Sequence, residues 1–308
     1  MRQFYLTTMQ ASCLLLWLLF TVPVALANSA AAISVQDFSG QRLVLQKPAE
    51  RVVALGPNLV EILFAIGAGE RVVGTSDYAN YPEAAAAIPR VSRVNIVNFE
   101  RLISLKPDLV LVWQSGFPVS TAARLQQLGI PVYLAEPSAL DDIERLMRDL
   151  GVLVGEQASA DAAANAFSDQ REQLAQRYAA QEPVSVFYQV WHQPLQTLNA
   201  AHVVSAVIEL CGGRNVFGDL AAIAPQVSIE SVIAANPQVI IASGSDGERP
   251  AWLDDWSRWP MIDAVRAQQL YFIHPDILVR HSPRILQGAE QLCAMLDTAR
   301  SVNVEPVD

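Results

Sequence analysis

Short apolar runs alternate with amphipathic segments along most of the chain. Such runs occur at residues 51–55, 72–74, 109–113 and 132–135. Their length is that of strands buried on both faces, and the segments between them have helical periodicity. This alternation is typical of a parallel sheet that is covered by helices on both sides. The pattern therefore predicts an α/β fold.

Polar residues beside these runs predict where some elements begin and end. Asn58 followed by Glu61 resembles a capping box, and Gly67 is placed to end the same helix. A second helix is predicted to begin at Ser138, with Asp141 three residues later. Residues 35–47 have a Ser-Gly pair at their centre and predict a β-hairpin before the first sheet.

One segment of the chain is repeated. Residues 97–112 are VNFERLISLKPDLVLV, and residues 227–242 are VSIESVIAANPQVIIA, and the two align without a gap. Each copy has an acidic residue near the start of an amphipathic helix, a proline that stops the helix, and an apolar run of strand length. One repeated unit in each of two lobes is the simplest explanation.

A long helix is predicted between the two copies. Residues 159–181 are rich in Ala, Gln, Glu and Arg and contain no Pro or Gly. The sequence therefore predicts two doubly wound α/β lobes with parallel sheets, joined by a single long rigid helix. The predicted boundaries are residues 28–155 for the first lobe, 156–182 for the helix and 183–308 for the second lobe. A stiff helix would hold the lobes at a nearly constant separation.

The N-terminal segment has the pattern of a cleavable signal peptide. Arg2 precedes an apolar run at residues 13–20, and Ala25-Leu26-Ala27 provides a small-residue cleavage site. We expect residues 1–27 to be removed and the mature protein to be periplasmic and soluble, since no later segment reaches about 20 apolar residues. Cys13 precedes the apolar run instead of following it, so lipidation is not expected.

The net charge and the cysteine content narrow the possible partners and the expected state of the cysteines. The formal net charge of −10 argues against nucleic acid as a partner. After removal of the signal peptide two cysteines remain, Cys211 and Cys293. In an oxidising compartment they would form one disulfide, or they would pack as two buried thiols.

Motifs of doubly wound enzymes are absent from the sequence. The chain contains no G-x-G-x-x-G, no G-x-x-x-x-G-K and no G-x-S-x-G. The sequence therefore predicts a binding protein instead of an enzyme.

The order of elements resembles that of solute-binding proteins hinged by a single helix, which serve importers of cobalamin, haem and ferric siderophores. Within this class the sequence is most similar to the cobalamin binders. The segments that carry the resemblance are RVVALGPNLVEILFAIG (51–67), TSDYANYP (75–82), FERLISLKPDLVLVW (99–113), ELCGGRNVFGD (209–219), PQVSIE (225–230) and RHSPRILQGAEQLCAML (280–296).

The resemblance implies a ligand site between the lobes. A corrin is a broad apolar disc with polar edges, so its binder needs aromatic walls and a few placed polar groups. Trp113 closes a predicted strand, and Tyr78 and Trp191 each follow one. All three are candidates for those walls, with core packing as the alternative. Asp276 and Arg280 match the Asp and Arg that cobalamin binders direct at their ligand, with a surface ion pair as the alternative.

The sequence also departs from the cobalamin binders. Two tryptophans expected in the pocket are Val94 and Ala224 here, and the Trp expected beside Asp276 is Ile277. Phe117 is a candidate, together with Trp191, to supply part of the lost aromatic area.

Two histidines make haem an alternative to a corrinoid as the ligand. His274 and His281 bracket the predicted site loop. Haem iron takes an axial His or Tyr, so these residues would suit haem. A ferric siderophore is a third possibility within the same class.

The resemblance also implies a partner and a disulfide. Glu100 and Glu230 occupy equivalent places in the two repeats and match the glutamates that dock onto a homodimeric membrane permease of an ABC importer. The alternative is that each carboxylate only stabilises the start of its own helix through the helix dipole. The matching cysteines imply a Cys211–Cys293 disulfide. We expect no cofactor apart from the transported ligand, and a monomer when the protein is free.

Overall fold

The structure is a computed structural model, and it describes residues 32–244 and 247–302. The predicted signal peptide at residues 1–27 lies outside these ranges. The described residues belong to one compact unit that begins at Ala32. In this part of the chain, no helix combines the length and the apolar character needed to cross a membrane.

Most strands are short and most belong to two sheets. The strands of the described residues are β1 (Ile33–Gln36), β2 (Arg42–Leu45), β3 (Val52–Leu55), β4 (Val72–Thr75), β5 (Ser92–Arg93), β6 (Ile96–Val97), β7 (Leu109–Trp113), β8 (Val132–Ala135), β9 (Val184–Gln189), β10 (Trp191–His192), β11 (Leu195–Gln196), β12 (Gly213–Asn215), β13 (Val239–Ala242) and β14 (Leu270–Phe272).

Helices connect the successive strands within each of the two larger sheets. The α-helices are α1 (Pro57–Ala65), α2 (Phe99–Ser104), α3 (Val119–Gln127), α4 (Leu140–Val154), α5 (Gln157–Tyr178), α6 (Val203–Leu210), α7 (Ile229–Ala235), α8 (Asp263–Arg266), α9 (Pro275–Leu278) and α10 (Ile285–Ser301). Short 3₁₀ helices lie at Gly69–Arg71, Glu83–Ala87, Gln114–Gly116 and Ala251–Arg258.

Two four-stranded parallel sheets form the framework, one on each side of α5 along the chain. Their strand orders are β4-β3-β7-β8 and β12-β9-β13-β14. In both sheets the second strand of the chain lies at an edge and the first and third strands are neighbours. The predicted α/β class with two doubly wound lobes is therefore confirmed. The predicted hairpin is also present, as the antiparallel pair β1 and β2.

Both faces of each sheet are buried. In β3, Val52 and Ala54 belong to one apolar cluster while Val53 and Leu55 belong to another. Successive side chains of a strand point to opposite faces, so helices cover this sheet on both sides. The strand β13 alternates in the same way between two clusters.

The repeated segment folds in the same way in both lobes. In each copy a short helix, α2 or α7, leads into the third strand of the sheet, β7 or β13. Asn98 and Ser228 cap these helices by accepting a hydrogen bond from a backbone N–H in the first turn. Lys106 and Asn236, at equivalent positions after the helices, both have positive φ. The sequence repeat is therefore a structural repeat.

The predicted long helix is α5, which spans 22 residues. Its apolar side is buried at Ala160, Ala164, Phe167, Leu174 and Tyr178. The helix therefore packs along the protein instead of crossing open solvent. Its first half binds the first lobe, because Asp161 accepts a hydrogen bond from Arg148 at 2.7 Å. Its second half binds the second lobe, because the Tyr178 hydroxyl lies 3.1 Å from Asp297.

A buried disulfide joins two helices of the second lobe. The Sγ atoms of Cys211 and Cys293 are 2.04 Å apart. Cys211 follows the last residue of α6, and Cys293 lies within α10. The disulfide prediction is confirmed, and the alternative of two free thiols is wrong.

Two predicted helix starts need correction. Asn58 and Glu61 do not form a capping box, because α1 already begins at Pro57 and Gly56 at its N-cap has no side chain. Proline suits a first helical position, where its missing N–H has no helical partner to lose. The helix predicted from Ser138 begins two residues later, and its capping carboxylate is Asp142 instead of Asp141.

Candidate functional site

The carboxyl edge of the first sheet carries the first part of the site. In this strand order the connections after β3 and β7 leave in opposite directions, which opens a crevice at the carboxyl ends of those strands. Trp113 is the last residue of β7 and lies at this edge. Gly56 follows β3 directly, and a Cβ atom there would lie only 3.1 Å from Trp113 Cβ. Glycine at this position therefore leaves room for the tryptophan.

A cleft of about 200 Å³ lies between the lobes, and we call it the interlobe cleft. Its lining combines predicted site residues of both lobes with residues that sequence analysis did not assign. The lining residues are Pro57, Asn58, Trp113, Pro275, Asp276, Val279, Arg280 and His281. The structure therefore brings Trp113 together with Asp276 and Arg280, although more than 160 positions separate the tryptophan from them in the sequence.

Arg280 is the centre of a polar network between the lobes. Its Nη1 donates to Glu61 Oε1 at 2.6 Å and to Asn80 Oδ1 at 2.9 Å, both in the first lobe. Its Nη2 pairs with the carboxylate of Asp276 in the second lobe. Asn80 in turn donates to Asp276 at 3.0 Å. The pair is therefore part of an interlobe network instead of a simple surface ion pair.

Glu61, like Asn80, belongs to this network but was not predicted as a site residue. Its side chain is 2% exposed. Besides Arg280, it accepts hydrogen bonds from Ser282 Oγ at 2.5 Å and from Arg284 Nη1 at 3.0 Å. A buried carboxylate needs such partners, since an unpaired one would be costly. The available signal was the one charged residue of a mostly apolar helix.

Tyr78 lies beside the cleft but does not line it. The residue is 72% exposed, and its backbone has a φ of 64°. Its carbonyl oxygen is 3.5 Å from Arg280 Nη2. Asp77, the preceding residue, accepts a hydrogen bond from the backbone N–H of Val94 at 3.1 Å. Val94 is 66% exposed, so two exposed apolar side chains lie near this end of the network.

Trp191 is not among the residues that line the interlobe cleft. It lies on β10, two residues after β9, and its Nε1 donates to the carbonyl of Gln193 at 3.1 Å. Its ring contacts His192, which stacks on Trp252 with ring centroids 5.5 Å apart. Of this aromatic group only Trp191 was predicted as a site residue, and His192 and Trp252 were not.

Two of the positions that depart from the cobalamin binders, and the candidate compensating residue Phe117, have different environments. Ile277 is buried in the core beside Asp276, whereas Ala224 is exposed. Phe117 is 7% exposed and belongs to an apolar cluster of the first lobe. It therefore packs in the core, and the suggestion that it supplies aromatic area to the site is wrong.

The histidines near the cleft are held neutral or serve as helix caps. The rings of His202 and His281 lie 5.6 Å apart, and burial lowers the pKa of each to about 4. His274 accepts a hydrogen bond from the backbone N–H of Asp276 at 3.1 Å through its Nδ1. Among the described residues no group of three or more His, Cys, Asp or Glu side chains is arranged to hold a metal ion.

Glu100 and Glu230 occupy equivalent exposed positions. Each is the second residue of its helix, α2 or α7. Hydrogen bonds from its own backbone and from the Ser228 side chain hold the pKa of Glu230 below its ordinary value. Both carboxylates are therefore available to a partner, and both also suit a helix start.

Comparison with known proteins agrees with this architecture. The vitamin B12-binding protein of Vibrio cholerae serotype O1 is 35% identical over 257 residues, which cover 82% of this chain and 91% of the relative. The crystal structure of the periplasmic vitamin B12 binding protein BtuF of Vibrio cholerae superposes with a TM-score of 0.75 at 35% identity, covering 83% of this chain and 99% of that chain. The periplasmic heme-binding protein RhuT from Roseiflexus sp. RS-1 superposes with a TM-score of 0.72 at 26% identity, covering 82% and 99%.

The family assignment follows from the extent of these matches. The sequence profile described as "periplasmic binding protein" matches residues 52–277, which include both parallel sheets and the whole of α5. The match therefore spans the sequence repeat, the connecting helix and every residue that lines the interlobe cleft up to Asp276. The chain belongs to the periplasmic binding protein family.

Proposed function

We propose that this chain is a periplasmic substrate-binding protein that binds cobalamin or a related corrinoid between its lobes and delivers it to an ABC importer. The observation that carries the proposal is the interlobe cleft, where Trp113 of the first lobe lines the same space as Asp276 and Arg280 of the second. An aromatic wall opposite a few placed polar groups suits the edge of a flat chelate. The vitamin B12-binding relatives support the choice of a corrinoid.

The charge balance of the cleft favours a ligand with an uncharged edge. Arg280 is already paired with the carboxylates of Glu61 and Asp276. His281 also lines the cleft, and its pKa of about 4 keeps it neutral at physiological pH. No free positive charge then faces the ligand from these residues. The carboxamide groups around a corrin ring fit this environment better than carboxylates do.

The size of the cleft limits how the ligand binds. Small-molecule sites commonly enclose about 300–1,000 Å³, so a space of about 200 Å³ admits an edge of a corrin and not the whole disc. The exposed side chains of Tyr78 and Val94 lie next to the network and offer apolar surface for the rest of the ring. Trp191 of the second lobe is a further candidate wall. The packed helix α5 restricts the lobes to little closure.

Haem is the second candidate, because His281 lines the cleft. A neutral imidazole is the form that binds haem iron. The propionates of haem, however, would find no unpaired arginine or lysine among the lining residues of this cleft. The cleft charges therefore rank haem below a corrinoid.

Delivery requires a surface that the permease recognises. Glu100 and Glu230 are exposed carboxylates at equivalent places in the two lobes. We propose that each contacts one subunit of a homodimeric permease, since a repeated anchor matches a partner with two equivalent subunits. In this scheme residues 1–27 are removed on export, and the free mature protein, with lobes at residues 28–155 and 183–308, is a monomer.

A titration of the purified mature protein tests the proposed ligand. Tryptophan fluorescence is followed against cyanocobalamin, cobinamide, hemin and a ferric siderophore. We expect saturable quenching by the two corrinoids at micromolar concentration or below. Hemin binding with a Soret band, together with no corrinoid binding, would instead assign the protein to haem.

A further inference from the structure

The side-chain amide of Asn58 is buried without a hydrogen-bond partner. Asn58 is 3% exposed and lies in the first turn of α1. Neither its Oδ1 nor its Nδ2 has a partner among the residues that the structure describes. Because both atoms lack one, the observation holds for either orientation of the amide. Most buried polar side chains are hydrogen-bonded, so this amide requires an explanation.

Trp113 carries a second unpartnered polar atom at the same place. Its Nε1–H is also buried and has no acceptor within the described part of the chain. A Cβ atom on Gly56 would lie 2.7 Å from Asn58 Oδ1 and 3.1 Å from Trp113 Cβ, so these two side chains flank the same glycine. Both line the interlobe cleft. The cleft therefore offers two donor nitrogens, which carry three N–H groups in total, and one carbonyl acceptor, none of which has a partner among the described residues.

The Asn58 amide and the Trp113 Nε1–H suit a carboxamide of the ligand better than a carboxylate. A primary carboxamide donates and accepts, so it can satisfy both atoms of the Asn58 amide, whereas a carboxylate only accepts and leaves Oδ1 unpaired. A carboxylate would also need a cation, and the guanidinium of Arg280 is already paired with two acidic side chains. The donor and acceptor pattern and the charge balance thus favour the same ligand group.

We propose that Asn58, together with the Nε1–H of Trp113, forms a subsite that hydrogen-bonds a primary carboxamide at the edge of the ligand. The proposal rests on the function proposed above and sharpens it, because corrin rings carry carboxamides where haem carries carboxylates. All three polar atoms, Asn58 Oδ1 and Nδ2 and Trp113 Nε1, are buried in this structure. The ligand edge therefore reaches them by displacing second-lobe side chains of the lining, such as Pro275 and Val279.

Two ligands and one substitution test the subsite. Cobyric acid carries ring carboxamides, and cobyrinic acid carries carboxylates in their place. We expect the wild-type protein to bind cobyric acid at least about tenfold more tightly by calorimetry, which corresponds to about 1.4 kcal/mol. Asn58→Leu should weaken cobyric acid binding by about tenfold and bring the ratio between the two ligands close to one. Asn165→Leu, an exposed asparagine on α5, serves as the matched control and should leave the ratio unchanged.

Thermal unfolding without ligand gives an independent check. Replacing an unpaired buried amide by an apolar side chain of similar size should leave the melting temperature unchanged or higher. A lower melting temperature for Asn58→Leu, or failure to fold, would show that Asn58 is hydrogen-bonded in the free protein and would overturn the subsite. Equal affinity of the wild-type protein for both corrinoids would overturn the subsite and leave the proposed function intact. Binding of neither corrinoid would overturn both.

Discussion

Arg280 of the second lobe donates a hydrogen bond of 2.6 Å to the buried carboxylate of Glu61 in the first lobe. The two residues are 219 positions apart in the sequence. Glu61 also binds Arg284 and Ser282, and Arg280 also binds Asp276. One buried carboxylate therefore connects the first lobe to three side chains of the second, beside the cleft that we assign to the ligand.

Removing the Glu61 carboxylate should destabilise the protein strongly. Glu61→Ala leaves Arg280 and Arg284 without their shared partner, and breaking one side of a buried ion pair costs about 3–5 kcal/mol. Urea unfolding followed by circular dichroism measures the free energy of unfolding. Glu50→Ala is the control, because Glu50 pairs with Lys47 at 3.2 Å on the exposed surface, where a pair contributes about 1 kcal/mol or less. Equal losses for the two variants would contradict the buried role of Glu61.

Trp113→Ala should weaken corrinoid binding by about 1–3 kcal/mol, because the ring lines the cleft and a buried aromatic contact at a binding surface has this value. Calorimetry is the suitable measurement, since the substitution also removes a fluorescent reporter. Trp191→Ala is the comparison, and we expect a smaller effect because Trp191 lies outside this lining. An unchanged affinity in the Trp113 variant would assign its ring to packing alone.

Loss of the disulfide should lower stability without changing the ligand site. Cys211 and Cys293 are 82 positions apart, and closing a loop of that length stabilises by about 4 kcal/mol on the chain-entropy model. The double variant Cys211→Ala/Cys293→Ala should therefore unfold at a lower urea concentration. The wild-type protein unfolded in reductant provides the parallel measurement, and a stability within about 1 kcal/mol of the oxidised protein would contradict the estimate.

Stability should fall as the pH is lowered from about 6.5 to about 4. Burial keeps His202 and His281 neutral in the folded protein, with a pKa of about 4 each, whereas an unfolded histidine titrates near 6.5. The unfolded state therefore binds more protons in this window, so acid favours unfolding, by at most about 1.4 kcal/mol per pH unit for each histidine. Asp142 is the acidic group whose charge acts against this shift at His281.

The variant His202→Asn/His281→Gln isolates the histidine contribution. Its free energy of unfolding should depend less on pH than that of the wild-type protein between pH 4 and 6.5. Denaturant unfolding at several pH values measures both slopes. Identical slopes would mean that other groups, such as the carboxylates, account for the acid sensitivity.

Reversing the charge of Glu100 and Glu230 should weaken association with the cognate permease. The double variant Glu100→Lys/Glu230→Lys replaces two attractive contacts by repulsive ones, and the wild-type association should also weaken with salt. Ligand affinity should stay unchanged, because neither residue lines the cleft. Glu83→Lys/Glu172→Lys is the control with the same change in net charge at two other exposed sites. Equal binding of both double variants to the permease would remove the docking role.

Much of the fold was predictable because it depends on local patterns. Short apolar runs predicted the four strands of the first sheet, and β7 and β8 have the predicted bounds. The composition of residues 159–181 predicted α5 to within three residues at each end. These features follow from backbone periodicity and helix propensity, which act over a few neighbouring residues. The repeat predicted one structural unit that both lobes share. In the structure the similarity between the lobes goes further, because both sheets have the same strand order.

The site was predictable only in part. Trp113, Asp276 and Arg280 line one cleft, whereas Trp191 is outside that lining and Phe117 belongs to the core. Glu61 and Asn58 were interpreted as a helix cap, because a polar residue followed by Glu three positions later is the local signature of one. The sequence by itself determined the strands, the long helix, the repeat and the candidate cysteine pair. Only the tertiary structure decided that the Glu61 carboxylate pairs with arginines of the other lobe and that the Asn58 amide stays unpaired, since such partners are set by packing between distant segments and leave no periodic trace in the sequence.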